Sequence, residues 1–353
     1  MDAKSALRLK ALGTGIQPDR VPVIMSLGGG YASKVLEIPS KEYFFNPALA
    51  LEANTWTSRL LRDDSSPGYS IPEGICWDFG GELKFPDGIG KWPVIVKHPV
   101  SCEEDLEKLV VPDPVKAPAA SRELEFVRLR YKAGYKGSFV ASSPLRQAVQ
   151  LVGVNTLLRW MVRKPHLVHL ACQMTLEYST RIAEMYVKEF GPEYWSVLVT
   201  YPVETNDLIS TQQFKEFSVP HVIELHRRLK ALGISKFKEH PCGRHRHNFW
   251  LWRDELHLPR HTSINVGTEV PIEEVGSYFG DHFVIGGNVS TSNLATCSPR
   301  EIYEESKTII EKMKYRAGGF ILMPACAVST AVPMANLAAM VQAAEDFGYY
   351  NES

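Results

Sequence analysis

No run of this 353-residue chain stays apolar for the ~18 residues a membrane-spanning helix needs. The opening "MDAKSALRLKALG" has neither an apolar core nor a small-residue cleavage site, so a cytoplasmic protein is expected. Charge of one sign is lacking too. With 39 basic against 40 acidic residues, no net field recommends nucleic acid or an acidic membrane as partner. Cysteines number six. Without an export signal they are expected to be reduced thiols rather than a disulfide framework. Low-complexity tracts, internal repeats and linkers are absent, which argues for one domain over residues 1–353.

What is present is an alternation. Short β-branched and aromatic runs recur, each followed by turn residues and a helix-period segment: "VPVIMS" from Val21, "ICWDF" from Ile75, "SFVAS" from Ser138, "WSVLVTY" from Trp195, "ISKFKEH" from Ile234, "SINVG" from Ser263, "FVIGGNV" from Phe283 and "GFILMPA" from Gly319. Helix limits carry ordinary signals, such as the capping box begun by Ser298 with Glu301 and the closing Gly233. Eight strand–helix repeats predict an α/β fold, a single (β/α)8 barrel of the TIM type. The stretch Lys84 to Lys116, with "PDG" as turn chemistry, reads as a small hairpin and helix inserted after the second strand.

In such a barrel, active sites gather on the loops beyond the carboxyl ends of the strands. "KEHPCGRHRH" brings His240 and Cys242 to the end of the fifth candidate strand, and "FILMPAC" brings Cys326 to the end of the eighth. Pro241 keeps its neighbour extended, so His240 and Cys242 project to one side. One imidazole and two thiolates suit a soft divalent ion such as Zn2+, and three protein ligands leave a coordination position open, as catalytic zinc requires. His245 and His247 read as solvated loop residues. Cys76 and Cys172 read as packing residues.

From "RVPVIMSLGGGY" to "NLAAMVQAAEDFGYY" the chain resembles the uroporphyrinogen decarboxylase superfamily, and within it the zinc-dependent, corrinoid-linked methyltransferases. The pieces that carry the resemblance are "HPCG", "GGNVS" with "SPREIYEE", and "GGFILMPAC" followed by "NLAAM". The resemblance implies zinc on His240, Cys242 and Cys326, a corrinoid carried by a separate partner protein, and a small methyl donor or acceptor. It also implies roles after the fourth strand, in "TYPVETNDLIS": Glu204 as a fourth ligand or proton handler, against the alternative of a helix-capping carboxylate, and Asn206 as an orienting group. Asp78 stands, in loose alignment, where an aspartate serves the decarboxylases. Asn288, ending the seventh strand, either bonds substrate or braces its loop. Tyr31, Tyr201 and Trp250 are candidate pocket aromatics.

Decarboxylases of the family carry "MRQAGRY" after the first strand, whose two arginines grip a polycarboxylate. Here "MSLGGGY" puts Ser26 and Gly30 in their places, which removes those cations. The triple glycine is expected to leave room for a substrate, a partner or a bulky ring at the rim. The reading that follows is methyl transfer between a small substrate, a methoxylated aromatic for preference, and corrinoid cobalt. Transfer to a thiol of the coenzyme M type, an altered decarboxylase and a non-catalytic tetrapyrrole-binding barrel are the alternatives. Whether the chain pairs as a homodimer is left open.

Overall fold

The computed structural model describes residues 3–350. Its centre is a parallel sheet in sequence order, β3 (Gly137–Val140), β4 (Trp195–Thr200), β5 (Phe237–His240), β6 (Ser263–Asn265), β7 (Val284–Val289) and β8 (Phe320–Pro324), with β1 (Glu82–Lys84) and β2 (Val94–Lys97) apart from it as an antiparallel pair. Six of the eight runs are therefore strands where the alternation put them. The architecture is an α/β barrel. Among the described residues, no helix is long and apolar enough to cross a membrane.

The first run takes its barrel position through bridges rather than a regular ladder: Val23 pairs in parallel with Leu322, and Leu27 with Val328. Pro22 has no N–H to give, so a regular ladder is interrupted where the segment meets β8. On its other side lies a stretch the pattern gave no weight. The Asp64 N–H donates to the Val23 carbonyl at 2.8 Å, the Asp64 carboxylate accepts from the Val23 N–H at 2.9 Å, and Ser65 Oγ accepts from the Met25 N–H at 3.0 Å. Asp64 is fully buried between Arg8 (3.0 Å) and Arg20 (2.9 Å), so this side of the barrel is clamped by charge.

The second run corrects the expectation: "ICWDF" is not a strand but lies within the short helix Gly74–Asp78 and its cap, and residues 63–65 lie beside the first run instead. A short apolar run of this kind cannot be told from a buried helical turn by its periodicity. The antiparallel pair β1–β2 and the helix Glu103–Lys108 follow it.

Burial along the strands separates two halves of the barrel. β6, β7 and β8 are buried at every position, as parallel strands covered on both faces should be. β4 and β5 instead alternate buried with half-buried. On β5 the buried set faces the helices, since Glu239 meets His226 of the helix Val219–Ala231 at 3.1 Å. Lys238 and His240 therefore face the barrel axis, level with Leu198 and Thr200 of β4. Val140 of β3, level with Leu198, is 49% exposed, so the lumen is open along β3–β5. Across the lumen Leu12, Val284, Ile321 and Met323 form an apolar cluster.

Candidate metal centre

His240 closes β5, Cys242 follows Pro241, and Cys326 lies just beyond β8. One ligand atom from each lies within 4.8 Å of the other two. His240 Nδ1 is 2.9 Å from the Asn265 carbonyl of β6, an acceptor, so a ring proton sits there and Nε2 is turned toward Cys326 Sγ at 3.5 Å. That bond through the neighbouring strand fixes both tautomer and ring angle.

The two thiols differ in acidity. The Cys242 thiol donates to the His240 carbonyl at 3.4 Å, and the neighbouring Cys242, then the His240 ring, draw the Cys326 pKa down. The neighbouring Cys326, followed by burial, pushes Cys242 up. Burial is the largest influence on His240 and lowers it, but the bond to Cys326 and the Asn265 carbonyl outweigh it, and the net direction is up. Zinc bonds of about 2.0–2.1 Å to nitrogen and about 2.3 Å to sulfur, held tetrahedrally, bring N and S to roughly 3.5 Å. The His240–Cys326 separation of 3.5 Å meets that requirement, and the soft donor set suits the same ion.

Glu204 does not join the cluster. It is fully buried, bonded to Ser143 Oγ, to Ser218 Oγ at 3.1 Å and to the Val203 N–H at 3.1 Å. Ser143 in turn caps the helix Pro144–Val152 through the Arg146 N–H at 3.1 Å. Burial raises the Glu204 carboxyl to about 7, the two serines opposing. This places a carboxyl able to hold a proton behind the mouth, on the helix-capping serine. Asn206 bonds Asn248 Oδ1 at 3.3 Å and the Arg244 carbonyl through its own N–H at 2.7 Å, which ties the loops after β4 and β5 together.

The other candidates each have partners of their own. Tyr31 is 1% exposed and its hydroxyl donates to the Val332 carbonyl. Tyr201 is wholly buried on the helix side of β4, its hydroxyl on Glu239 and its ring edge-on to Trp252 at 4.9 Å, so it does not line the mouth. Trp250 packs among Phe214 and Lys215. Asp78 accepts from the Ala119 N–H at 2.6 Å, in the first turn of the helix Pro118–Lys132, and from the Tyr178 hydroxyl at 2.8 Å. Each of its oxygens thus accepts a bond from the protein. Asn288 shares the inward face of β7 and donates to the Gly267 carbonyl at 3.0 Å, bracing that loop.

Two features escaped the sequence reading. The glycine rim is not open: a Cβ on Gly28 would lie 2.1 Å from the Trp92 ring, and one on Gly30 2.7 Å from it. The indole, 40% exposed and carried by the loop between β1 and β2, fills the room those glycines leave. His245 is not solvated either. It is 1% exposed, and its Nε2–H is shared between the Tyr201 and Cys242 carbonyls, each at 3.1 Å. No spacing rule announces such a bond. The doubled histidine of "RHRH" was the one signal available.

A family model described as Uroporphyrinogen decarboxylase (URO-D) matches residues 5–347. The methylcobamide:CoM methyltransferase MtaA of Methanosarcina barkeri (strain Fusaro / DSM 804) is 23% identical over 206 residues, 58% of this chain and 56% of the relative. The chain thus spans little more than half the length of that curated relative. A solved methyltransferase from Methanosarcina mazei superposes with a TM-score of 0.81 at 22% identity, covering 97% of this chain and 98% of that one, and so has the same fold. With the barrel, the strand-end triad and a match that runs nearly from end to end, the chain belongs to the uroporphyrinogen decarboxylase (URO-D) family.

Proposed function

We propose that this protein is a zinc-dependent methyltransferase that moves a methyl group between a small substrate and the cobalt of a corrinoid delivered by a separate protein. The single observation that carries the reading is the convergence of His240, Cys242 and Cys326 at two strand ends of one barrel mouth, with no fourth His, Cys, Asp or Glu joining the group among the described residues. Zinc bound there supplies Lewis acidity toward a substrate heteroatom, activating a thiol as nucleophile or a methoxy oxygen as leaving group. His240 is held by Asn265 with Nε2 on the side of Cys326, so these residues would hold the ion, and the surroundings favour ionisation at Cys326. Glu204, buried with a carboxyl near neutrality, holds or gives up a proton behind Ser143.

Decarboxylation fits less well. Ser26 and Gly30 stand where the family's arginines grip carboxylates, and even a Cβ at Gly30 would meet the Trp92 indole. The sequence favours a methoxylated aromatic as methyl donor. Transfer to a thiol is the second reading, supported by the activity named for the M. barkeri relative, a methylcobamide:CoM methyltransferase. Spectroscopy of the zinc-loaded protein separates them. Conversion of cob(I)alamin to methylcobalamin with 3-methoxybenzoate supports the first, and loss of methylcobalamin with a free thiol supports the second. Neither reaction with zinc-loaded protein, or both unchanged after zinc removal, contradicts the proposal.

A further inference from the structure

The layer beneath the metal cluster is unusual for a barrel core. Barrel interiors are filled mainly with branched aliphatic side chains. Here the strand that ends in the ligand His240 carries Lys238 on the same face, one layer deeper, level with Leu198 and Ser263. Lys238 is half-buried on a central strand, so solvent reaches it only through the lumen. Among the described residues no carboxylate forms an ion pair with it.

A cation on an inward strand face with no anion beside it is costly inside a protein, because it loses water without gaining a partner. The same wall holds more unspent polarity. Asn265, 8% exposed and on the inward face of β6, has an amide oxygen with no partner, and the Ser142 and Thr200 hydroxyls bond one another at 2.9 Å above Val140. The sequence hides this, since "ISKFKEH" shows a lysine in a strand but not which face it takes.

We propose that Lys238 is the specificity-determining residue of this site, and that it anchors the acidic group of the substrate whose heteroatom meets the metal held by His240, Cys242 and Cys326. The proposal rests on the methyltransferase reading and adds the substrate class: a small organic acid. Two residues along a strand span about 6.6 Å. The acid and the reacting heteroatom are therefore separated by roughly 5–7 Å, the span of a meta-substituted benzoate or a short thiol acid. A carboxylate or sulfonate on the ammonium makes a charge-assisted hydrogen bond and neutralises an unpaired charge.

Binding to the zinc-loaded protein, measured by calorimetry without any corrinoid, tests it. The probes are two matched pairs, 3-methoxybenzoate against 3-methoxybenzamide and 3-mercaptopropionate against 3-mercapto-1-propanol. In the unaltered protein the acid of at least one pair should bind about tenfold or more tightly than its neutral twin, and the pair that responds identifies the source of the acid. Lys238→Met should abolish that preference at unchanged zinc content, and Lys238→Arg should keep most of it. Equal binding of acid and neutral probes by the unaltered protein, or a preference that survives in both Lys238→Met and Lys238→Gln, overturns the proposal. Because no methyl group moves in this assay, an acid preference without turnover in the cobalamin assays would count against the methyltransferase reading and not against the anchor.

Discussion

His245→Ala tests whether a buried loop bond, and not the ligands alone, builds the metal centre. The ring is 1% exposed and stays neutral, burial lowering its pKa to about 4. Its Nε2–H serves the Tyr201 and Cys242 carbonyls at 3.1 Å each, and Nδ1 accepts from the Asn248 amide at 3.3 Å. Asn248 also reaches the Glu204 carbonyl at 3.1 Å, so one imidazole and one amide join the loops after β4 and β5. Removing the ring strands the carbonyls and part of an amide, at about 1–3 kcal/mol for each group left unsatisfied, and opens a cavity besides. Some of these groups will find water, so a total of about 3–5 kcal/mol is the working figure. The Cys242 loop would lose its tether, and zinc affinity should fall by about 10–100-fold, as is usual when a bond supporting a ligand is lost. Urea unfolding of the zinc-loaded protein and competition with a chelating dye measure the two effects. A loss below about 1 kcal/mol with zinc affinity unchanged would refute the reasoning.

Three further perturbations follow from single side chains. His221 is 7% exposed, and burial, then the His169 ring 3.1 Å away, lower its pKa to about 4. A folded pKa below the unfolded value of about 6.5 gives stability that is full above pH 6.5 and lost as pH falls toward 4, amounting to about 2 kcal/mol by pH 5. Unfolding curves at pH 7 and pH 5 should show that loss, and His221→Leu should remove it from the difference; an unchanged difference counts against the assignment. Asp78→Ala strands the Ala119 N–H and the Tyr178 hydroxyl and should cost about 2–4 kcal/mol in thermal unfolding while leaving zinc content and probe binding unaltered. A specific loss of binding would return Asp78 to the substrate site. Asp64→Ala leaves Arg8 and Arg20 buried without their shared partner and should destabilise by about 3–5 kcal/mol in urea.

The convergence of His240, Cys242 and Cys326 was legible in sequence because ligand types at strand ends need only the barrel rule to bring them together. Strands were legible for a similar reason: "WSVLVTY" and "FVIGGNV" sit between turn signals and are too short for buried helices. The second position failed because "ICWDF" carries a helical turn's burial in a strand's composition, while the polar "DDSS" that borders the first run has no strand signature. The rim glycines were read correctly as space but not as occupied space, since the Trp92 that fills it lies some sixty residues away in the chain. Contacts between distant loops, such as His245 on the Tyr201 carbonyl, leave no periodicity to read. The inward turn of Lys238 is likewise set by register with β4, which the sequence does not state.

X-ray absorption at the zinc edge of the purified protein tests the central claim most directly. The expected spectrum is that of one zinc per chain, with two sulfur neighbours at about 2.3 Å, one imidazole nitrogen at about 2.0–2.1 Å and a light-atom fourth neighbour that a soaked thiol replaces with a third sulfur. Cys242→Ser and Cys326→Ala should each remove one sulfur from that shell. A zinc shell without sulfur, or a shell unchanged in both variants, would contradict it.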